Sequence, residues 1–164
     1  MGRWRPPSPA SSPYITQEGY QRLEVELEQL WKKRAETTRA LAAAAAEGDR
    51  SENAEYIYRK KELREIDSRV LYLQKRMPVL KVVKEVGDSN RVFFGASVTI
   101  EDEQGEKLRY RIVGADEIGC KEEYISIDSP MAKALLGKTP GDKIAVTGEG
   151  VDRIYDIISI EYSG

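Results

Sequence analysis

Two runs of residues at alternating spacings of four and three, split by one glycine-led turn, leave this chain few ways to fold. Leu23, Leu27, Leu30, Arg34, Thr37, Leu41 and Ala44 make the first run, and Tyr56, Arg59, Leu63, Ile66, Val70, Leu73 and Met77 the second. A stripe with that period lies along one side of a helix and asks for a partner stripe to cover it. Thr16 is placed to cap the first helix. Ala42 to Ala46 keep helix propensity high up to a stop near Gly48. Pro78 ends the second helix, because it removes a backbone donor and clashes with the preceding turn. The expectation is an antiparallel coiled-coil hairpin over 14–78, each helix of ~26–30 residues projecting ~40–45 Å at 1.5 Å per residue. Its far half is poorly apolar, with Arg34, Thr37 and Ala44 facing Arg59 and Tyr56. Helix propensity and ion pairs must therefore support that half as much as burial does.

The texture changes on either side of this hairpin. Residues 1–13, MGRWRPPSPASSP, are too rich in Pro, Ser and Arg to bury a core and read as a flexible extension. From about Val79 the pattern turns to strands: Val92–Ile100, Leu108–Val113, Tyr124–Ile127, Lys143–Thr147 and Ile154–Tyr162. Gln104-Gly105, Gly114-Ala115 and Pro140-Gly141 supply turns between them. A short helix over Pro130–Leu136 starts with Asp128 or Ser129 as cap and Pro130 in the first turn, and stops at Gly137. The fold class is α+β, a helical hairpin followed by a small β-rich domain over 79–164.

Composition removes several chemistries. The chain has no histidine and one cysteine, Cys120, so a His-based nucleophile, a thiolate zinc site and an internal disulfide are all excluded. Carboxylates, hard oxygen donors suited to Mg²⁺, remain. The net charge of −2 gives no overall basic field for nucleic acid. Charge is nonetheless uneven: residues 50–77 hold eight Lys/Arg against five Asp/Glu, and residues 84–164 hold ten against sixteen. Two different partners, one of them anionic, would suit that division. No apolar run approaches the ~20 residues that span a bilayer, and no signal segment is evident, so a cytoplasmic setting without membrane contact is expected.

The turn of the hairpin reads Gly48-Asp49-Arg50-Ser51-Glu52-Asn53-Ala54-Glu55-Tyr56. Asp49 and Glu52 are three apart. One reading makes Asp49 the cap of the second helix with Glu52 at its third position, a capping box that satisfies exposed N–H groups. The other makes the pair a divalent-metal site. One surface carboxylate holds Mg²⁺ weakly, since Mg²⁺ gives up water reluctantly. Two carboxylates plus an outside ligand would do better, so such a site would be completed by a partner.

This turn, continuing through Tyr58-Arg59-Lys60-Lys61-Glu62-Leu63-Arg64-Glu65-Ile66-Asp67, resembles the tip signature of the Gre family of transcript-cleavage factors. Val92-Phe93-Phe94-Gly95-Ala96 and Tyr124-Ile125-Ser126-Ile127-Asp128-Ser129-Pro130-Met131-Ala132-Lys133-Ala134-Leu135-Leu136 are similar to two further segments of that family, in the family's order. The resemblance covers roughly residues 14–162. It implies a coiled coil joined to a domain of FKBP-like topology. It also implies an activity: the hairpin enters the secondary channel of RNA polymerase and stimulates the polymerase's own hydrolysis of backtracked RNA.

Under that resemblance Asp49 and Glu52 hold a Mg²⁺ ion shared with the polymerase and help orient the attacking water. Ser51 and Asn53 either support them through hydrogen bonds or merely cap and pack the turn. Arg59, Lys60, Lys61 and Arg64 either guide the RNA 3′ end by phosphate contact or pair with Glu36, Glu62 or Glu65. Asp128, Ser129 and Pro130 dock at the rim of the channel or serve only as a local cap. The chain itself would be a monomer and no enzyme. A channel-occupying regulator without cleavage is the alternative, disfavoured because a plug needs no metal ligands. A coiled-coil adaptor leaves the tip acids unexplained, and a prolyl isomerase would rest on fold alone.

Overall fold

The computed structural model describes residues 11–47, 53–84 and 87–162. The element order is β1 (Tyr14–Thr16), α1 (Gln17–Ala45), α2 (Ala54–Arg76), β2 (Lys81–Val83), β3 (Ser97–Glu101), β4 (Lys107–Val113), β5 (Tyr124–Ser126), α3 (Pro130–Leu135), β6 (Lys143–Gly148) and β7 (Val151–Glu161). The chain is α+β, helical in its first half and built on a sheet in its second. Tyr20–Val79 form one compact unit, and the described residues before Tyr20 join those from Leu80 onward in the other. β1 and the first turn of α1 thus belong with the sheet rather than with the helical pair.

In the helical unit the heptad positions behave as their spacing requires. Leu23, Thr37, Ala44, Ile66, Val70 and Leu73 are buried, and the other seam residues are half-buried. Cross-links run Glu26 to Arg69, Arg34 to Asp67, Thr37 to Glu62 and Ala44 to Asn53. Partner numbers on α2 fall as those on α1 rise, so the helices are antiparallel. Thr37, almost fully buried, donates its hydroxyl to Glu62 Oε1 at 2.6 Å. That bond, ahead of Arg59, holds the Glu62 carboxyl below the usual carboxylate range. Here the polar stretch of the seam satisfies itself by hydrogen bonding where apolar burial is thin. The exposed Arg34–Asp67 pair at 2.6 Å adds little by comparison, because water screens it.

The second unit holds a five-stranded sheet in the order β5-β4-β3-β7-β6, antiparallel except for the parallel β4–β5 pair. Its core is Val98, Ile100, Ile112, Ile144, Tyr155 and Ile157, closed on one face by Ala132 and Leu135 of α3. A bulge between Thr99 and Ile100 shifts the β3–β7 register by one residue, which increases local twist. No helix among the described residues is long and apolar enough to cross a membrane.

Three expectations change. Val92–Ala96 is no strand: Gly95 takes φ +87° and its N–H donates to Ile112 O at 2.8 Å, while Val92 N–H turns to Lys138 O at 2.9 Å. A glycine in that conformation stops the ladder, and β3 begins only at Ser97. β1 and β2, three residues each and parallel to one another with Ile15 opposite Val82, escaped notice because three residues show no alternation. Ser12 and Pro13, expected within the extension, are held by hydrogen bonds. Ser12 donates through both its N–H and its hydroxyl to the Asp128 carboxylate, and Pro13 O accepts from Lys81 N–H at 2.7 Å. Residues 1–10 lie outside the described residues.

Candidate functional site

Asn53 closes the end of the helical pair. Its side-chain oxygen accepts from Tyr56 N–H at 3.1 Å, and its side-chain N–H donates to Ala44 O at 2.8 Å. One amide thus satisfies an orphan donor of α2 and an orphan acceptor of α1. The N-cap of α2 is Asn53, with φ −84° and ψ 102°. This overturns the capping-box reading that placed Asp49 at the cap and Glu52 at the third position. Asp49, Ser51 and Glu52 lie outside the described residues. Asn53→Ala is expected to lower the stability of the helical unit by about 1–2 kcal/mol. Asn53→Asp should retain the cap while losing the bond to α1, and amide exchange at Tyr56 distinguishes the two variants.

The basic residues of α2 divide into two kinds. Arg59 is engaged with Glu55 at 2.8 Å and Glu62 at 3.2 Å, and the Glu55 bond raises its pKa further. Lys60 lies 5.9 Å from the Tyr56 ring centre. Lys60, Lys61 and Arg64 are exposed and form no ion pair with a described carboxylate. The salt-bridging alternative therefore describes Arg59 and not the other three.

In the sheet unit, Ser129 caps α3 by accepting from Ala132 N–H at 3.2 Å, and Pro130 fills the first turn. Asp128 is not that cap. Its backbone N–H donates to Ser126 Oγ at 3.1 Å, and its carboxylate receives Ser12.

Glu117 is the residue sequence reasoning missed. It is 1% exposed, and its carboxylate accepts from Thr16 N–H at 3.1 Å, Gly114 N–H at 2.8 Å and the Thr16 hydroxyl. The Thr16 hydroxyl oxygen also accepts from Gly19 N–H at 3.0 Å, the capping bond expected at the start of α1. The only local signal is a glutamate three residues after Gly114. A glycine has no side chain with which to return the bond, so the pattern does not read as a capping box.

Residues 13–82 match the family model described as transcription elongation factor, N-terminal, and residues 87–162 match the one described as transcription elongation factor, GreA/GreB, C-term. The transcription elongation factor GreB of Pseudomonas aeruginosa is 54% identical over 164 residues, covering 99% of this chain and 98% of that one. The same-named protein of Xanthomonas axonopodis is 54% identical over 166 residues, covering 99% of each. That of Haemophilus influenzae is 52% identical over 149 residues, covering 89% of this chain and 94% of its own. The chain belongs to the GreA/GreB family of transcription elongation factors. Within the family it falls with the GreB type. A solved GreA factor homolog of Thermus thermophilus is 27% identical with a TM-score of 0.42, covering 90% of this chain and 97% of that one. So loose a superposition adds nothing to the assignment, which rests on sequence.

Proposed function

We propose that this chain stimulates RNA polymerase to hydrolyse backtracked RNA, using the acids at the turn of its helical pair. The helical pair is a coiled-coil hairpin that enters the secondary channel, and the sheet unit, of FKBP-like topology, contacts the channel rim through Asp128, Ser129 and Pro130. The chain acts as a cytoplasmic monomer and supplies ligands, not a complete active site. The observation that supports this reading is the Asn53 bridge. With the cap of α2 made by Asn53, that helix does not call on Asp49 or Glu52 to close it.

The donor set fits a hard divalent cation: two carboxylates in one turn, with no histidine in the chain. Two carboxylates fill only part of an octahedral shell, so the polymerase must complete the site. Bound there, Mg²⁺ would polarise the phosphodiester and raise the acidity of the attacking water. Asp49 and Glu52 would supply oxygen ligands and orient that water, and Asn53 would hold the turn between the two helix ends. Lys60, Lys61 and Arg64 would follow the extruded RNA by phosphate contact.

The testing experiment is a stalled, backtracked polymerase complex carrying 3′-labelled RNA in Mg²⁺. Adding this chain should shorten the RNA at many times the unassisted rate. A chain that binds the complex and leaves the RNA intact would instead be a channel-occupying regulator. The charge division on α2 gives a second expectation. The Lys60→Gln, Lys61→Gln variant should slow cleavage of long extruded RNA more than short, with a shallower dependence on salt. Equal losses for both lengths would return these lysines to an ordinary solvated face.

A further inference from the structure

We infer that Ser12 is a positioning residue for the polymerase contact, because it fixes the Asp128 carboxylate in the orientation that a cationic partner group meets. The inference deepens the proposed function and rests on its assignment of Asp128 to the channel rim.

The backbone around Asp128 is tied down on both sides. Asp128 lies between the end of β5 and the start of α3. Ile127 N–H donates to Val113 O at 2.8 Å, Ser129 N–H to Ser126 O at 2.9 Å, and Asp128 N–H to Ser126 Oγ at 3.1 Å. Ser129 then caps α3, with Pro130 in its first turn. These bonds fix the main chain and leave the rotamer of the Asp128 side chain undetermined. Ser12 determines it. Its N–H donates to one carboxylate oxygen at 2.9 Å and its hydroxyl to the other. Two charge-assisted bonds, one to each oxygen, set both the direction and the plane of a carboxylate.

Ser12 is itself held in place for this. It precedes Pro13, and a residue before proline is confined to extended backbone. Pro13 O accepts from Lys81 N–H at 2.7 Å, and β1, paired with β2, starts at the next residue. All of these residues belong to the sheet unit. Ser12 and Asp128 are both half-buried, so one side of the pair stays open to solvent. A carboxylate offers about four acceptor positions, and it can hold Ser12 and a partner's Lys or Arg at the same time. A side chain that is ordered only on docking gives up rotamer freedom, and that ordering weakens binding. An acid ordered beforehand by a neighbouring serine gives up less.

The test measures binding of the full chain to a backtracked polymerase complex, at a temperature well below the melt. Ser12→Ala, which keeps the N–H and removes the hydroxyl, should weaken binding about two- to tenfold. Ser12→Thr, which keeps the hydroxyl, should bind as the unsubstituted chain does. The loss should appear in the concentration of factor needed for cleavage and vanish at saturation, since the turn acids are untouched. Asp128→Asn should weaken binding about tenfold or more. Adding Ser12→Ala to it should weaken binding little further, because the two side chains act as one unit. Salt separates their roles. Raising it should weaken Ser12→Ala as steeply as the unsubstituted chain, whose charges it shares, and Asp128→Asn less steeply. Unchanged affinity in Ser12→Ala beside a weakened Asp128→Asn would make the serine a packing contact only and overturn the inference. Tighter binding by Ser12→Ala would mean that the serine competes with the partner, which overturns it as well. Should Asp128→Asn itself bind as the unsubstituted chain does, the docking assignment in the proposed function fails and the inference falls with it.

Discussion

The Asp49→Asn, Glu52→Gln variant is expected to bind a backtracked polymerase complex as the unsubstituted chain does and to leave its RNA uncut above the unassisted rate. Amides keep the size and hydrogen-bonding reach of the two acids but lose the charge that a hard cation needs. A well-placed metal ion stabilises developing transition-state charge by several kcal/mol, which corresponds to about 10²- to 10³-fold in rate. The cleavage rate at saturating factor should fall by that amount. Each single variant should fall nearly as far, because residues that act as one unit do not add. Raising Mg²⁺ should recover part of the rate in a single variant and little in the double. The fold should not suffer, since α2 is capped by Asn53. Full stimulation by the double variant would remove the acids from the mechanism. Loss of binding together with cleavage would assign them to docking.

Gly114→Ala is expected to cost the most stability of any single methyl addition in the sheet unit. The position is free of conformational strain, at φ −76°, so alanine fits the backbone. The obstacle is space: the added Cβ would lie 2.0 Å from Tyr14 O, a main-chain atom that moves only if β1 moves. β1 is pinned by its pairing with β2 and by the Glu117 bonds to Thr16. Overpacking of this kind costs about 3 kcal/mol, and the melting temperature should drop by on the order of 10 °C. Gly19→Ala makes an instructive comparison. Its Cβ meets the Glu117 side chain at 2.2 Å rather than main chain. The carboxylate can swing aside there, at the expense of the bonds it makes. Gly114→Ala should therefore depress the melt more than Gly19→Ala. A Gly114→Ala chain that melted with the unsubstituted one would mean that β1 shifts to admit the methyl group.

The helical half was legible because its signal is periodic over many residues. Spacings of three and four repeat from Leu23 to Ala44 and again from Tyr56 to Met77, and each repeat adds to its helix's stripe, so a polar member such as Thr37 does not erase it. The sheet was legible in part. Alternation located β4, β6 and β7 within a few residues, whereas the apolar run from Val92 looked continuous across Gly95, where the chain turns. Of the candidate site, Asn53 was singled out for the right neighbourhood, and its role as cap was left open beside a ligand-supporting one. Of the two readings of the turn, the capping one names Asp49, whereas Asn53 makes the cap. Asn53 also donates to the carbonyl of Ala44 on the other helix, a partner that no local motif reveals.

The sequence by itself determined the paired helices, the acidic turn between them, the exclusion of histidine chemistry, thiolate zinc and an internal disulfide, and family membership across both halves. These are properties of local periodicity, composition and short motifs, all encoded within a few turns of chain. Tertiary structure alone decided how the root of α1 is held. Thr16 and Glu117 are 101 residues apart, and Ser12 and Asp128 are 116 apart. No period or motif spans such distances. A glutamate in a Gly-Ala-Asp-Glu turn reads as surface until the fold buries it, because burial is conferred by the neighbours the fold assembles around it and not by the residue itself.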